Sequence, residues 1–344
     1  MKDSYENDTL AQKEALINEF KGNLFEFLVA KELATNFNIY NQFIAAFVQA
    51  QARQQKFQQY ESWLRKYSPE VLVELPKLAK ILSDALSDYI RNDLKIELKR
   101  IQLVGKLFDQ KQDYSNEADL LLYDKNKVTY PLSLKLCKKG SFVNTKSAGV
   151  SSFIEKYFTE FKSSKFHQDE LNLILDQSYL EMGEKLYEQF DMIFTGKFGN
   201  EWTDKGNSEL PGQLDPVSRS IVHQSYNPII KKIYLSILAF EKENPELLKT
   251  CLSSILGYSK ENMIQALCFH NGTDDYSFDH VTIDSSQKIW EELTDYELIP
   301  FTDLKASFEI QLSNSVLQIR VKPMNKFTAK SHKINCSYKR RNVS

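Results

Sequence analysis

Glu117-Ala118-Asp119-Leu120-Leu121-Leu122-Tyr123, then Asp124-Lys125-Asn126-Lys127, then Val128-Thr129-Tyr130-Pro131-Leu132-Ser133-Leu134-Lys135-Leu136-Cys137: the reading of this stretch decides the fold. Two segments of strand character, at about 117–123 and 128–137, flank four polar residues of turn composition, so a β-hairpin is expected. Successive strand residues point to opposite faces. Ser133, Lys135 and Cys137 therefore share one face, and Leu132, Leu134 and Leu136 the other. A register that pairs Tyr123 with Thr129 places Asp119 across from Ser133 and one diagonal step from Lys135. The run Leu120-Leu121-Leu122 reads as a strand buried on both faces. An Asp at the head of such a strand is costly unless something binds it, and a divalent cation would.

Upstream of the hairpin the pattern is helical. Leu16, Phe20, Leu24, Phe27 and Leu28 follow helical spacing, a Gln- and Ala-rich run covers about 38–66, and another amphipathic helix is expected at about 77–92. Ile96, Leu98, Gln102 and Val104 alternate as in a strand. Downstream, helices are expected at about 148–163 and 168–194. A loop or boundary follows at about 195–216, where Gly196, Gly199, Gly206, Pro211, Gly212 and Pro216 gather. Helix resumes at about 217–242 and 246–257, and the remainder alternates in strand fashion at about 263–269, 278–283, 305–312, 314–322 and 332–338. This pattern predicts an α+β protein with two parts: a core at about 10–195, in which helices flank a mixed sheet, and a part at about 217–344 made of helices and a small antiparallel sheet.

The chain has 344 residues, 12% of them aromatic, which is enough for a substantial core. No apolar run is long enough to span a bilayer, and the polar start lacks the apolar stretch of a secretory signal. Cys137, Cys251, Cys268 and Cys336 show no paired metal spacing, so free thiols in a reducing cytoplasm are expected. Net charge is only −2, yet no acidic side chain follows Glu309, while Arg320, Lys322, Lys326, Lys330, Lys333, Lys339, Arg340 and Arg341 do. That basic segment fits either a polyanionic partner or a solvated terminus.

In the first helix, Lys21-Gly22-Asn23-Leu24-Phe25-Glu26 places Glu26 away from the Phe20/Leu24/Phe27 stripe. Gly22 and Ala30, a turn to either side, leave room for a close neighbour. Hydrolysis of a phosphodiester needs a nucleophilic water, neutralisation of charge at phosphorus and support for the leaving oxygen. Mg2+ held by carboxylates supplies much of this, and a nearby lysine orients or deprotonates the water and offsets charge.

These residues resemble the PD-(D/E)XK nuclease superfamily, in its Ser-x-Lys variant. The likeness covers about 20–35 and 115–160. Lys21-Gly22 followed by Glu26 looks like the first-helix motif of the resolvase branch, Asp119 matches the metal-binding Asp, and Ser133-Leu134-Lys135 matches the (D/E)-x-K tripeptide. Two positions depart from the pattern: Ala118 stands where a Pro is usual, and Ser133 replaces the acid. The resemblance implies a restriction-endonuclease-like core and a Mg-dependent endonuclease acting on DNA. Asp119, Glu26 and the Leu134 carbonyl would hold Mg2+, Lys135 would position or activate the water, and Ser133 would add a hydrogen bond. Glu155 or Glu160 is a candidate for the missing carboxylate, and a homodimer would allow both strands to be cut.

Lys138, Lys139, Asn144 and Lys146 follow in a basic segment of small polar donors that leads into an expected helix start, an arrangement suited to a nucleic-acid backbone. Lys326 and Lys330 in the basic end are expected to join them. Other readings stay open: a catalytically inactive nucleic-acid-binding or assembly protein of the same fold, an RNA-directed nuclease, or simply an Asp119–Lys135 ion pair with Glu26 a solvated helix residue. The cluster Cys268, His270, Asp274, Asp275, Asp279 and His280 fits no metal spacing and reads as a polar loop between strands. There is no Gly-rich phosphate loop ending in Gly-Lys-Ser/Thr.

Overall fold

The computed structural model describes residues 10–48, 51–104, 118–272, 275–303, 305–324 and 326–341, with the side chains of 10–12 and 51–54 aside. Glu117 and Asp274 lie outside the described residues. The helices before the hairpin are α1 (Leu10–Asn36), α2 (Tyr40–Val48), α3 (Gln51–Tyr67) and α4 (Pro69–Asn92). Pro69 opens α4 at a position where its missing N–H costs nothing. Val71, Leu75, Leu78, Leu82, Leu86 and Ile90 then recur every third or fourth residue and are buried against Val29, Leu33 and Ala34 of α1. Pro76 sits inside α4. Asn38, in the left-handed region at φ 58°, turns the chain out of α1, and Ile39 N–H donates to the Ala34 carbonyl.

The strands β1 (Leu98–Leu103), β2 (Leu120–Asp124) and β3 (Thr129–Lys138) form an antiparallel meander, whose β2–β3 hairpin is the one expected from the opening stretch. Tyr123 pairs with Thr129 and Leu120 with Leu132, the register anticipated from the sequence. The turn is held by Asp124, whose Oδ1 accepts from Asn126 N–H and Val128 N–H, both at 2.8 Å.

The chain then turns at Gly140 (φ 70°) into β4 (Val143–Gly149), where a basic turn and a helix start had been expected. Val143 and Thr145 favour extended backbone, and a strand partner far along the chain, in the 332–340 region, captures the segment. Helix within the expected 148–163 span is confined to α5 (Phe153–Tyr157) and a 3-10 turn before it. There follow α6 (Ser164–Gln189), α7 (Asn200–Asp204), α8 (Pro216–Gln224), α9 (Tyr226–Glu243), α10 (Pro245–Ile255), β5 (Ile264–His270), β6 (Phe278–Ser285), α11 (Ser286–Glu292), β7 (Glu297–Leu298), β8 (Ser307–Gln311), β9 (Ser315–Pro323) and β10 (His332–Arg340).

The chain divides differently from the expected 10–195 and 217–344. One compact unit is Met1–Ser141 with Lys260–Gln287, and the other is Phe142–Ser259 with Lys288–Ser344. The physical reason is that β5 and β6 return to the first sheet, whose order is β1-β2-β3-β5-β6, with β5 parallel to β3 and β6 antiparallel to β5. The 195–216 stretch, expected as a loop or boundary, lies inside the second unit and holds α7. That unit holds an antiparallel sheet of order β4-β10-β9-β8-β7. Leu317, Ile319, Val321, Ile334, Cys336 and Tyr338 are buried on one face of this sheet, and α9 lies against β8 and β9. The α+β class, with one mixed and one antiparallel sheet, thus holds. Among the described residues no helix is long and apolar enough to cross a membrane.

Candidate functional site

Asp119 stands one residue before β2, where β2 and β3 stop pairing. From Ser133 onward β3 keeps β5 on one side and turns its other edge towards Asp119. There Asp119 Oδ2 accepts from Leu134 N–H at 2.7 Å and from the Ser133 hydroxyl at 3.3 Å, and it lies 3.6 Å from Lys135 Nζ. Within a strand the N–H and C=O of one residue point to the same edge. Because Leu134 N–H meets Asp119, the Leu134 carbonyl faces the same gap. The Asp119 side chain is 18% exposed and that of Lys135 36%, so the pair sits at a solvent-reached fork.

Glu26, on α1, comes to this fork from the helix layer. Burial raises its carboxyl pKa to about 8, the nearby Asp119 charge pushes the same way, and Lys135 opposes it. The sequence reading of Glu26 as a carboxylate near the hairpin therefore corresponds to an electrostatic neighbourhood. Lys135 is held above the usual lysine range, first by Asp119 against the opposing effect of burial, and then by Glu26. Its ammonium form is the one this site favours.

The Asp119 carboxylate, a Glu26 carboxyl within its electrostatic reach and the Leu134 carbonyl are donors of the kind Mg2+ usually takes from a protein, one or two carboxylates with water and substrate oxygens completing the shell. A carboxyl forced towards neutrality by burial and a neighbouring negative charge is also what a cation would return to its charged form. Against this, among the described residues no group of three or more His, Cys, Asp or Glu gathers as a metal cluster.

The fork has further neighbours, of which Lys21, Cys137 and His270 were named in the sequence without a role at the site, and Tyr276, Gln265 and Asp284 were not named. Lys21, five residues before Glu26, is nearly buried. It donates to the Tyr276 hydroxyl at 3.5 Å and lies 5.0 Å from that ring, and burial lowers its pKa. His270, 3% exposed, lies 4.7 Å from the Tyr276 ring, and burial followed by the Lys21 charge lowers its pKa. Cys137 lies near both Lys21 and Lys135, but burial dominates and pushes its thiol up to about 11. Gln265 and Asp284 are the cross-strand neighbours of Ser133 in β5 and β6, and both are buried. The only sequence signal for them was a polar residue interrupting an apolar run; Tyr276 carried none.

The remaining expected residues scatter. Lys138 is exposed at the end of β3, and Lys139 pairs with Asp279 at 2.5 Å, which also meets His280 Nδ1. Asn144 and Lys146 lie on β4, and Asn144 Oδ1 accepts from Asn335 at 3.3 Å. Lys326 and Lys330, expected as phosphate contacts, are engaged by Glu209 and Asp176. Residues 320–340 are acid-free in sequence, but folding brings acids from earlier in the chain to them. Glu155 lies on α5 and Glu160 follows it, both in the second unit, with Glu160 near Cys251. The 268–280 cluster opens out: Cys268 and His270 are buried on β5, and Asp275 accepts from Ser277. No protein family, curated protein or solved structure matches the chain.

Proposed function

We propose that the chain is a Mg-dependent endonuclease acting on DNA, with a restriction-endonuclease-like core in its first unit. The observation that carries this reading is the fork, where Asp119 meets Lys135 at 3.6 Å while Glu26, raised to about 8, answers to both. Mg2+ bound by Asp119 and Glu26, with the Leu134 carbonyl beside them, would supply charge neutralisation and an activated water.

The chain's own residues divide the rest of the work. Ser133 and Leu134 N–H fix the Asp119 carboxylate by two hydrogen bonds, so it meets a cation without reorganising. Lys135, favoured as the ammonium, offsets negative charge on the non-bridging oxygens of the pentacoordinate transition state and orients the water rather than removing its proton. Water adds across one P–O bond, which breaks to leave a phosphate monoester and a hydroxyl.

The test is incubation of the purified protein with plasmid and phage DNA, in Mg2+ or in EDTA, beside Lys135→Ala. Discrete Mg-dependent fragments, lost in the variant, support a sequence-specific nuclease; smearing supports a nonspecific one. An absence of cleavage, with DNA binding intact in both proteins, would sink the enzymatic reading.

A second reading, a nucleic-acid-binding or assembly protein without catalysis, is favoured by one feature. Ser133 stands where the resembled pattern has an acid, and Asp119 is already answered by Lys135, Ser133 and Leu134. An RNA-directed nuclease is separated from the first reading by competing DNA and RNA substrates.

A further inference from the structure

Strand alternation gives the second unit's sheet an apolar face and a polar one, and the polar face is strongly basic. On β9 it carries Gln318, Arg320 and Lys322, and on β10 it carries Lys333, Asn335 and Lys339. Lys322 pairs across with Lys333, and Arg320 with Asn335. Asn335 in turn pairs with Ser147 on β4, a small hydroxyl donor on the same face. Among the described residues Arg320, Lys322 and Lys333 make no ion pair, in contrast to Lys326 and Lys330, which Glu209 and Asp176 engage. The three cations crowd one another: burial, then Lys333 and Arg320, lower the Lys322 pKa. A polyanion would relieve that repulsion.

Farther along the same strands is a cavity of about 310 Å³, lined by Phe142, Glu309, Val316, Lys339, Arg340 and Arg341. Phe142 is 36% exposed, and Lys339 Nζ lies 6.0 Å from the centre of its ring. Arg340 is tied to the buried Glu292 and so belongs to the scaffold. Glu309 accepts from Gln318 at 3.3 Å and is the acidic member of the cavity wall. It can also accept from the exocyclic amino group of a base. From Lys333 to Lys339 the strand runs six residues, roughly 20 Å. The aromatic cavity and the cationic cluster thus lie at opposite ends of one sheet face.

We propose that this face, with Arg320, Lys322 and Lys333 on phosphates and Phe142 beneath a base, binds single-stranded nucleic acid. Cations alone would serve a duplex equally well. The aromatic cavity decides for single strands, because a ring can stack only on a base whose face is free. The proposal rests on the nucleic-acid reading above but not on catalysis.

The test is binding of the full-length protein to a fluorescent single-stranded oligonucleotide and to the duplex of the same sequence. Anisotropy is read in EDTA over a range of salt, with thermal melting to confirm that each variant folds. The single strand is expected to bind more tightly than the duplex. The combined variant Arg320→Gln, Lys322→Gln, Lys333→Gln should weaken single-strand binding at least tenfold at moderate salt. It should also flatten the log–log salt dependence by about 2, since each lost phosphate contact removes about 0.7. Phe142→Ala should weaken binding roughly tenfold and leave the salt slope unchanged. Lys326→Gln with Lys330→Gln should bind like the parent. Equal affinity for both forms, or folded variants that bind like the parent, would overturn the proposal, as would binding of anionic vesicles without oligonucleotide binding. If the combined variant binds and cuts normally, this surface fails and the nuclease reading stands. If the parent binds through this face and cuts nothing in Mg2+, the reverse holds.

Discussion

Glu26 carries a cost that varies with pH. Its folded pKa is raised from the ordinary 4.5 to about 8, so between those values the folded protein holds a proton that the unfolded chain has released. Stability on this account is fully present below about 4.5 and is lost as pH rises through about 8. Glu26→Gln removes the dependence, so the variant should melt above the parent at pH 8 in EDTA and level with it at pH 5. If Glu26 and Asp119 share a cation, Mg2+ should raise the parent's Tm at pH 8 and leave that of the variant unmoved; equal Mg2+ shifts in both would count against Glu26 as a ligand. Lys135 makes the complementary case. Its pair with Asp119 is partly exposed, so Lys135→Ala should cost only about 1 kcal/mol in denaturant titration. Single-turnover DNA cleavage should nonetheless fall at least about a hundredfold, because the charge is needed in the transition state.

The hairpin was legible because its signals agree: alternation, a four-residue polar turn, and a register that buries Leu120, Leu122 and Leu132 together while placing Asp119 opposite Ser133. Helices α1 and α4 were legible for the same reason, through apolar repeats at helical spacing. What could not be read locally was partnership between distant segments. Nothing in Val143–Gly149 announces that β10 will claim it. Likewise, nothing in Ile264–His270 announces a parallel partner more than a hundred residues earlier. For the candidate site, Asp119, Ser133 and Lys135 came from one hairpin and were visible as a group. Tyr276 and His270 reach Lys21 only once β5 has returned to the sheet. This makes the turn a sensitive point. Asp124 is 7% exposed and its carboxylate accepts two backbone N–H groups, so Asp124→Ala should destabilise the first unit by about 2 kcal/mol. Asp124→Asn should recover about half of that, since its carbonyl oxygen can still accept. Denaturant titration distinguishes them, and an unchanged midpoint in Asp124→Ala would mean that register is set by the leucine pairs alone.

At the scale of the whole molecule, the shifted pKa of Glu26 in the first unit and that of His332 in the second should pull stability with pH in opposite directions. His332, at the start of β10, is 4% exposed and lies 5.5 Å from the Tyr226 ring. Neither ring nitrogen has a hydrogen-bond partner among the described residues. Burial lowers its pKa from 6.5 to about 4. Here the unfolded chain binds the extra proton, so the stability it permits is present above about 6.5 and is lost as pH falls through about 4. The total is roughly 3 kcal/mol over that window. Glu26 acts on the first unit from the alkaline side and His332 on the second from the acidic side. Hydrogen exchange resolves the two: from pH 6.5 to 4.5 the amides of β9 and β10 should lose protection before those of β2 and β3. From pH 6 to 8.5, corrected for the intrinsic exchange rate, the order should reverse. His332→Leu should weaken the acid response of β9 and β10 and leave the alkaline response in place, and Glu26→Gln should do the converse for β2 and β3. Protection lost evenly across both sheets at both extremes would mean that neither group governs its own unit, and that net charge drives the unfolding instead.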